Sequence, residues 1–294
     1  MKSIIICLIF FALNIAHTQT LNVEMDFDTE NPFLLGKIDK EGLTSKSYNE
    51  WFTENYNNYD LNEDLIKEIA KTLNNYQITI FMGTWCGDSK LEVPRFYKIL
   101  EACNYPMEQL NVIALSRKPY MYKKSPNHYE AGLNIHRVPT FIFYKNRNEV
   151  NRIIEHPIET LENDILKIIT HNNYESRYQI VTRINSILEN DGLNGLKTSS
   201  KKLIKNFKNK VENTKELNTY GSLLYTNNKI KEAIEVFSIN IQLFPEVPNT
   251  YMSLANILGI TGNTQDGIKI LEKAIHLFPD NKDLVENLHS LKTN

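Results

Sequence analysis

Cys86 is the residue of this chain best placed to do chemistry. It follows an apolar β-type run, residues 78–82, and opens a helical pattern that reaches Leu100. At the first turn of a helix, unpaired N–H groups and the positive end of the macrodipole favour thiolate over thiol. A thiolate that attacks a disulfide ends bonded to its target, and a second thiol one helical turn on would cut that bond. The slot three residues on is Ser89. Attack is open to this site; unaided release is not.

The neighbours modulate that picture. Trp85 shields one side of the sulfur, and Gly87 allows a tight turn. The charge of Asp88 opposes thiolate formation while favouring the helix start. Lys90, Arg117, Lys118 and Arg137 are candidates to restore positive potential, or are solvated surface charges. Ser89 either caps a backbone N–H or hydrogen-bonds the sulfur. The histidines at 128, 136, 156 and 171 have no metal-ligand spacing, and His136 is a surface residue or a proton carrier. No metal and no cofactor is expected.

The elements that must position these residues alternate. A helix over 63–74 has Leu65, Ile66, Ile69 and Leu73 on one face. Strands follow at 78–82 and 112–115, with the Cys86 helix between them and Pro94 placed to kink it. A short helix at 125–131, strands at 140–144 and 149–154 and an amphipathic helix at 160–169 complete an α/β unit. Residues 20–60 read as an irregular polar extension with one helix near 47–56.

The 294 residues suffice for about two domains. A net charge of −2 gives no basic footprint, so no nucleic-acid partner is expected. Lys2, the apolar run 4–16 and small residues at 16 and 18 match an export signal over 1–18, cleaved near residues 18 and 19, with an uncleaved anchor as the alternative. The location expected is therefore exported: periplasm, cell envelope or secreted, with no membrane span after cleavage. Cys7 leaves with the signal, and Cys86 and Cys103 remain. On one helix their 17-residue separation is roughly 25 Å, far beyond the about 7 Å that a disulfide spans.

After residue 172 the pattern is helical only. Pro245 and Pro279 each close a Leu-Phe-Pro triplet, 34 residues apart, and at that offset Gly221 falls with Ala255, Ala233 with Gly267 and Phe237 with Leu271. This period is that of the tetratricopeptide repeat, giving repeats at about 214–247 and 248–281, a degenerate one at 180–213 and a capping helix at 282–291.

Trp85-Cys86-Gly87-Asp88-Ser89-Lys90, Pro94, and Arg137-Val138-Pro139-Thr140 opening a strand together resemble the thioredoxin-like fold family in a monothiol Cys-x-x-Ser variant. The resemblance implies an α/β domain at 61–172 with a central mixed sheet flanked by helices, followed by an all-α tetratricopeptide-type domain at 173–294. It implies a cis bond before Pro139, which would lie against Cys86, with Val138 backbone groups offered to an extended substrate. It also places Ile80 where family members often carry a buried carboxylate that helps the mixed disulfide resolve. Cys86, Ser89 and Pro139 are then the catalytic candidates, with Trp85, Gly87, Asp88, Val138 and Arg137 binding substrate. The function expected is thiol–disulfide exchange or isomerisation of protein substrates held by the repeats, released by a second thiol or a small external thiol. The alternative is a non-catalytic binding or holdase-type module.

Overall fold

The computed structural model describes residues 20–26 and 32–293; the expected export signal lies outside them. Six strands form one sheet: β1 (Val23–Met25), β2 (Phe33–Ile38), β3 (Gln77–Met82), β4 (Leu110–Ala114), β5 (Thr140–Lys145) and β6 (Asn148–Ile154). The order is β1-β2-β4-β3-β5-β6, with β3 and β4 parallel and every other pair antiparallel. Around it lie α1 (Lys40–Leu43), α2 (Asn49–Asn57), α3 (Glu63–Ala70), α4 (Gly87–Ala102) and α5 (Leu161–Ile169).

Successive side chains of a strand point to opposite faces, and the sheet uses both. Ile78, Ile80, Met82, Val112, Phe141 and Phe143 pack on one face with Val93, Phe96 and Leu100 of α4 and Ile165 of α5. Phe81, Ile113, Leu115 and Ile142 face the other way and meet Ile135 and Val138, with Trp85 and Cys86 at the margin. Residues 115–139 cover this second face, mostly as turns, with a short 3-10 helix at Pro119–Met121.

The helix expected at 125–131 is absent. Ser125 Oγ accepts from Tyr129 N–H at 3.0 Å, and Glu130 Oε2 accepts from Ser125 N–H at 3.0 Å and from its hydroxyl at 2.5 Å. These local side-chain bonds offer the backbone an alternative to the helical ladder. The irregular extension needs a larger correction. Residues 33–38 form a strand that pairs through 33–35 with β1 and through 36–38 with β4 inside the sheet, and α2 lies along α4 with Phe52 edge-on to Tyr97 at 5.8 Å. The α/β unit therefore begins well before residue 61. Strand β2 is buried along nearly its whole length, so it lacks the alternation that marks a half-buried strand.

Pro94 sits inside α4. It has no N–H to give the carbonyl of Lys90, four residues back. Asn55 Nδ2 of α2 donates to that carbonyl instead, at 3.2 Å, and also to the Trp51 carbonyl at 2.8 Å. The helix that carries Cys86 is thus tied to its neighbour where its own ladder is interrupted.

The rest is helical: α6 (Gln179–Phe207), α7 (Lys215–Thr226), α8 (Ile230–Leu243), α9 (Pro248–Ile260), α10 (Thr264–Leu277) and α11 (Lys282–Thr293). Helices α8 and α10 begin at residues 230 and 264, an offset of 34, as do α9 and α11 at 248 and 282. The small residues singled out by that offset are where helices cross. A Cβ on Gly221 would lie 2.9 Å from the Phe237 ring, and one on Gly267 would lie 2.9 Å from the Ala255 carbonyl oxygen. Helix α6, in the region of the degenerate repeat, is broken at Gly192, whose φ of 64° and ψ of −166° suit glycine. Among the described residues no helix is long and apolar enough to cross a membrane.

Candidate functional site

Strand β3 ends at Met82, and a four-residue turn delivers Cys86 to the N-cap of α4. Cys86 N–H donates to Gly83 O at 2.9 Å, and Cys86 O accepts from Lys90 N–H at 3.0 Å. Gly83 is the glycine this turn requires, since a Cβ there would lie 2.5 Å from the Trp85 ring. Gly87 has open space around it and no left-handed backbone, so the tight turn expected of Gly87 belongs to Gly83. Trp85 is fixed by its Nε1–H donating to Leu115 O at 2.9 Å and by the Tyr122 ring at 5.4 Å.

The sulfur faces oxygen. Its S–H lies 3.3 Å from Val138 O and 3.8 Å from Asp88 Oδ2, both acceptors. The Val138–Pro139 bond is cis, and Thr140 Oγ1 closes the loop by donating to Arg137 O at 2.8 Å. Burial pushes the Cys86 thiol above its ordinary value; N–H and O–H groups of Asp88 and Ser89 pull it back, and the Asp88 charge pushes it up again. The helix terminus is opposed, and the half-buried sulfur is held as a thiol. Ser89 is fully buried, and its hydroxyl accepts from Gly83 N–H at 3.2 Å, so it braces the turn below the sulfur as well as facing it.

Cys103 is the C-cap at the far end of α4, buried, with its thiol pushed up to about 11 chiefly by burial. Both cysteines are free. Ile80 is fully buried in the apolar core, so the carboxylate near the site comes from elsewhere. Glu92, one and a half turns along α4, is buried with Oε2 unpartnered, and burial raises its carboxyl. Its Oε1 lies 3.6 Å from Arg95 Nη1 and 4.0 Å from His156 Nδ1. His156 Nε2 is in turn 3.6 Å from Asp88 Oδ1. Glu155 is the hinge of this arrangement. It takes φ 66°, a left-handed conformation uncommon for a residue with a side chain, and its N–H donates to Pro139 O at 2.7 Å. The turn swings His156 over the start of α4. Neither Glu92 nor His156 carries a sequence signal beyond its type; only the fold brings them to Asp88.

Arg137 is no solvated charge. Its Nη1 donates to Glu155 Oε1 at 3.1 Å, its Nη2 to Lys215 O of α7 at 3.1 Å, and its guanidinium lies over the Tyr178 ring at 5.1 Å. His136 is buried, not a surface residue, between the rings of Tyr178 at 5.5 Å and Tyr220 at 6.1 Å. Lys123, missed in the sequence, is buried with its Nζ on His136 O, and burial first and Arg137 second lower it to about 8. Lys90 lies 6.0 Å from the Trp51 ring. Lys123, Arg137, Tyr122 and Asn218 line a cleft of about 300 Å³ between the sheet domain and α7. The helical region therefore builds one wall beside the Cys86 loop.

Asp88, Glu155 and His156 have ligand-type atoms within 4.8 Å of one another. Both Glu155 oxygens are already engaged, one by Arg137 and the other by the Tyr178 hydroxyl, so the group reads as an ion-pair network.

A family model described as Thioredoxin matches residues 40–165. No curated protein matches the chain. The match begins at α1, ahead of the boundary expected at 61, and ends within α5. The chain thus has a thioredoxin-like fold domain followed by a helical repeat region.

Proposed function

We propose that this chain is a protein-binding module in which the thioredoxin-type scaffold and tetratricopeptide-type repeats form one docking surface without redox turnover. The observation that carries it is the setting of Cys86. Among the described residues no second thiol can reach it, because Cys103 lies at the other end of α4 and Ser89 fills the resolving slot. The thiol is also raised by burial and turned onto two oxygen acceptors, the opposite of an activated nucleophile. The cleft against α7 supports docking, since a partner there touches both domains. The apolar start of the sequence favours action after export.

A second reading is favoured by one observation: Cys86 at a helix N-cap lies against the Val138–Pro139 loop, its sulfur 3.3 Å from Val138 O. Cys86 would then form mixed disulfides with protein substrates, resolved by a second substrate thiol or a small thiol. Insulin reduction and reactivation of scrambled ribonuclease separate the two. The binding module predicts neither activity in the wild type and equal peptide binding by wild type and Cys86→Ser. Activity present in the wild type and lost in Cys86→Ser establishes the second reading instead.

A further inference from the structure

Three polar side chains lead from the sulfur, by way of the half-exposed Asp88 and His156, to the buried Glu92. Asp88 Oδ2 lies 3.8 Å from Cys86 Sγ, Asp88 Oδ1 lies 3.6 Å from His156 Nε2, and His156 Nδ1 lies 4.0 Å from Glu92 Oε1. The last member is buried with its other oxygen unpartnered, a costly arrangement for a group with no task. The left-handed backbone at Glu155 puts His156 between the two carboxylates, and such strain persists only where its surroundings hold it. We propose that Asp88, His156 and Glu92 form the acid–base path by which Cys86 gives up and regains its proton, in place of a carboxylate on β3, where Ile80 stands. It rests on the second reading, that Cys86 exchanges with disulfides.

The step balances as follows. Asp88 Oδ2 takes the S–H proton, rotation about the Asp88 Cβ–Cγ bond turns that O–H toward His156, and Nε2 accepts it, leaving an imidazolium between Asp88 and Glu92. The thiolate attacks one sulfur of a substrate disulfide; a Cys86–substrate bond forms, the substrate S–S bond breaks, and its second sulfur leaves with the electron pair. That leaving thiolate is protonated from the imidazolium by way of Asp88. In release, an external thiol gives its proton to His156 by way of Asp88 and bonds the substrate sulfur as thiolate; the Cys86–substrate bond breaks, and Cys86 departs as thiolate and takes that proton from the imidazolium. Asp88 touches the reacting atom and is the catalytic residue here, whereas His156 and Glu92 act through it as positioning residues. Tyr122, Lys123 and Arg137 face the sulfur side from the covering loop, and Arg95, Tyr59 and Glu155 face Glu92 and His156.

The test is the rate of Cys86 alkylation by iodoacetamide from pH 5 to 10 on the full chain, read by peptide mass, beside mixed-disulfide formation with an alkyl disulfide probe. The wild-type rate should rise with pH in two steps. His156→Gln should leave a single step, Glu92→Gln should displace the lower one, and Asp88→Asn should lower the thiol midpoint and speed alkylation at pH 7 about three- to tenfold. Relative to alkylation, exchange with this probe, whose leaving thiolate needs a proton, should slow on the order of tenfold in His156→Gln and Asp88→Asn. Superimposable wild-type and His156→Gln profiles, with an unmoved Asp88→Asn midpoint, would overturn the path. Two steps that shift as stated, but no mixed disulfide in the wild type, would keep the path and overturn the exchange reading.

Discussion

Replacing His136 should make the protein less sensitive to acid. The imidazole is buried between Tyr178 and Tyr220, and its Nδ1 faces the Asn134 carbonyl at 3.3 Å. A carbonyl only accepts, so Nδ1 carries the hydrogen and Nε2 the lone pair. Nε2 has no partner, and burial, ahead of the neighbouring cations, lowers this histidine from 6.5 to about 3. The sign follows from proton counts. Between pH 6.5 and 3 the unfolded chain holds a proton here that the folded chain refuses, so stability rises with pH across that window and is lost as pH falls below 6.5. At pH 5 the loss from this one group is about 2 kcal/mol, at about 1.4 kcal/mol per pH unit over 1.5 units. Glu92 and Glu216, both raised by burial, act with the opposite sign, since they cost stability as they ionise on raising the pH. Comparing wild type with His136→Asn, whose amide keeps a donor for Asn134 O, cancels those terms. Urea unfolding at pH 7 and pH 5 is the assay: the wild-type midpoint should fall by roughly 1 M more than that of the variant. Equal losses in the two proteins would refute the assignment of a neutral, proton-refusing His136.

Two further predictions concern packing that holds the site and the repeats. Asn55→Ala leaves the Lys90 carbonyl without its donor and should cost about 1–3 kcal/mol; in a Pro94→Ala background, where the helix supplies the missing N–H, that cost should shrink by half or more in a denaturation cycle. In the helical region Phe237→Ala should cost about 3–5 kcal/mol by emptying the crossing with α7, and Gly221→Ala about 1–3 kcal/mol by pressing a methyl on the same ring, both read from unfolding midpoints.

The parts of this molecule that the sequence makes legible are those with local periodicity or fixed spacing. Strands β3, β5 and β6, the amphipathic α5 and the 34-residue offset all follow from patterns within one element or one repeat. Strand β2 escapes because a strand buried on both sides has no alternation, and its pairing with β4 bridges some 75 residues. The site divides the same way. Trp85, Cys86 and Ser89 form one contiguous turn and can be read together. His156 reaches Asp88 only because the strand before it ends on the cis-proline loop and Glu155 turns left-handed, a conformation that no pattern in the surrounding residues announces. Lys123 and His136 were hidden for a third reason: charged and polar types are expected outside, and here a long covering loop and two tyrosines from the helical region bury them.

The two functional readings meet at one atom. In the resting molecule Val138 O accepts the Cys86 S–H, and it is also the carbonyl that an extended peptide beside the cis-proline loop would need. A peptide N–H that takes this carbonyl removes one of the two acceptors holding the thiol and leaves Asp88 as the other. Docking and the neutral S–H therefore compete for the same carbonyl, and a bound peptide should raise Cys86 reactivity even with no change in the surrounding charges. The helical region enters the same balance through Arg137, which ties α7 to Glu155 and so to the turn that carries His156. A partner seated in the cleft against α7 would contact that arginine directly, so the proposed docking surface and the proton environment of the sulfur are parts of one structure.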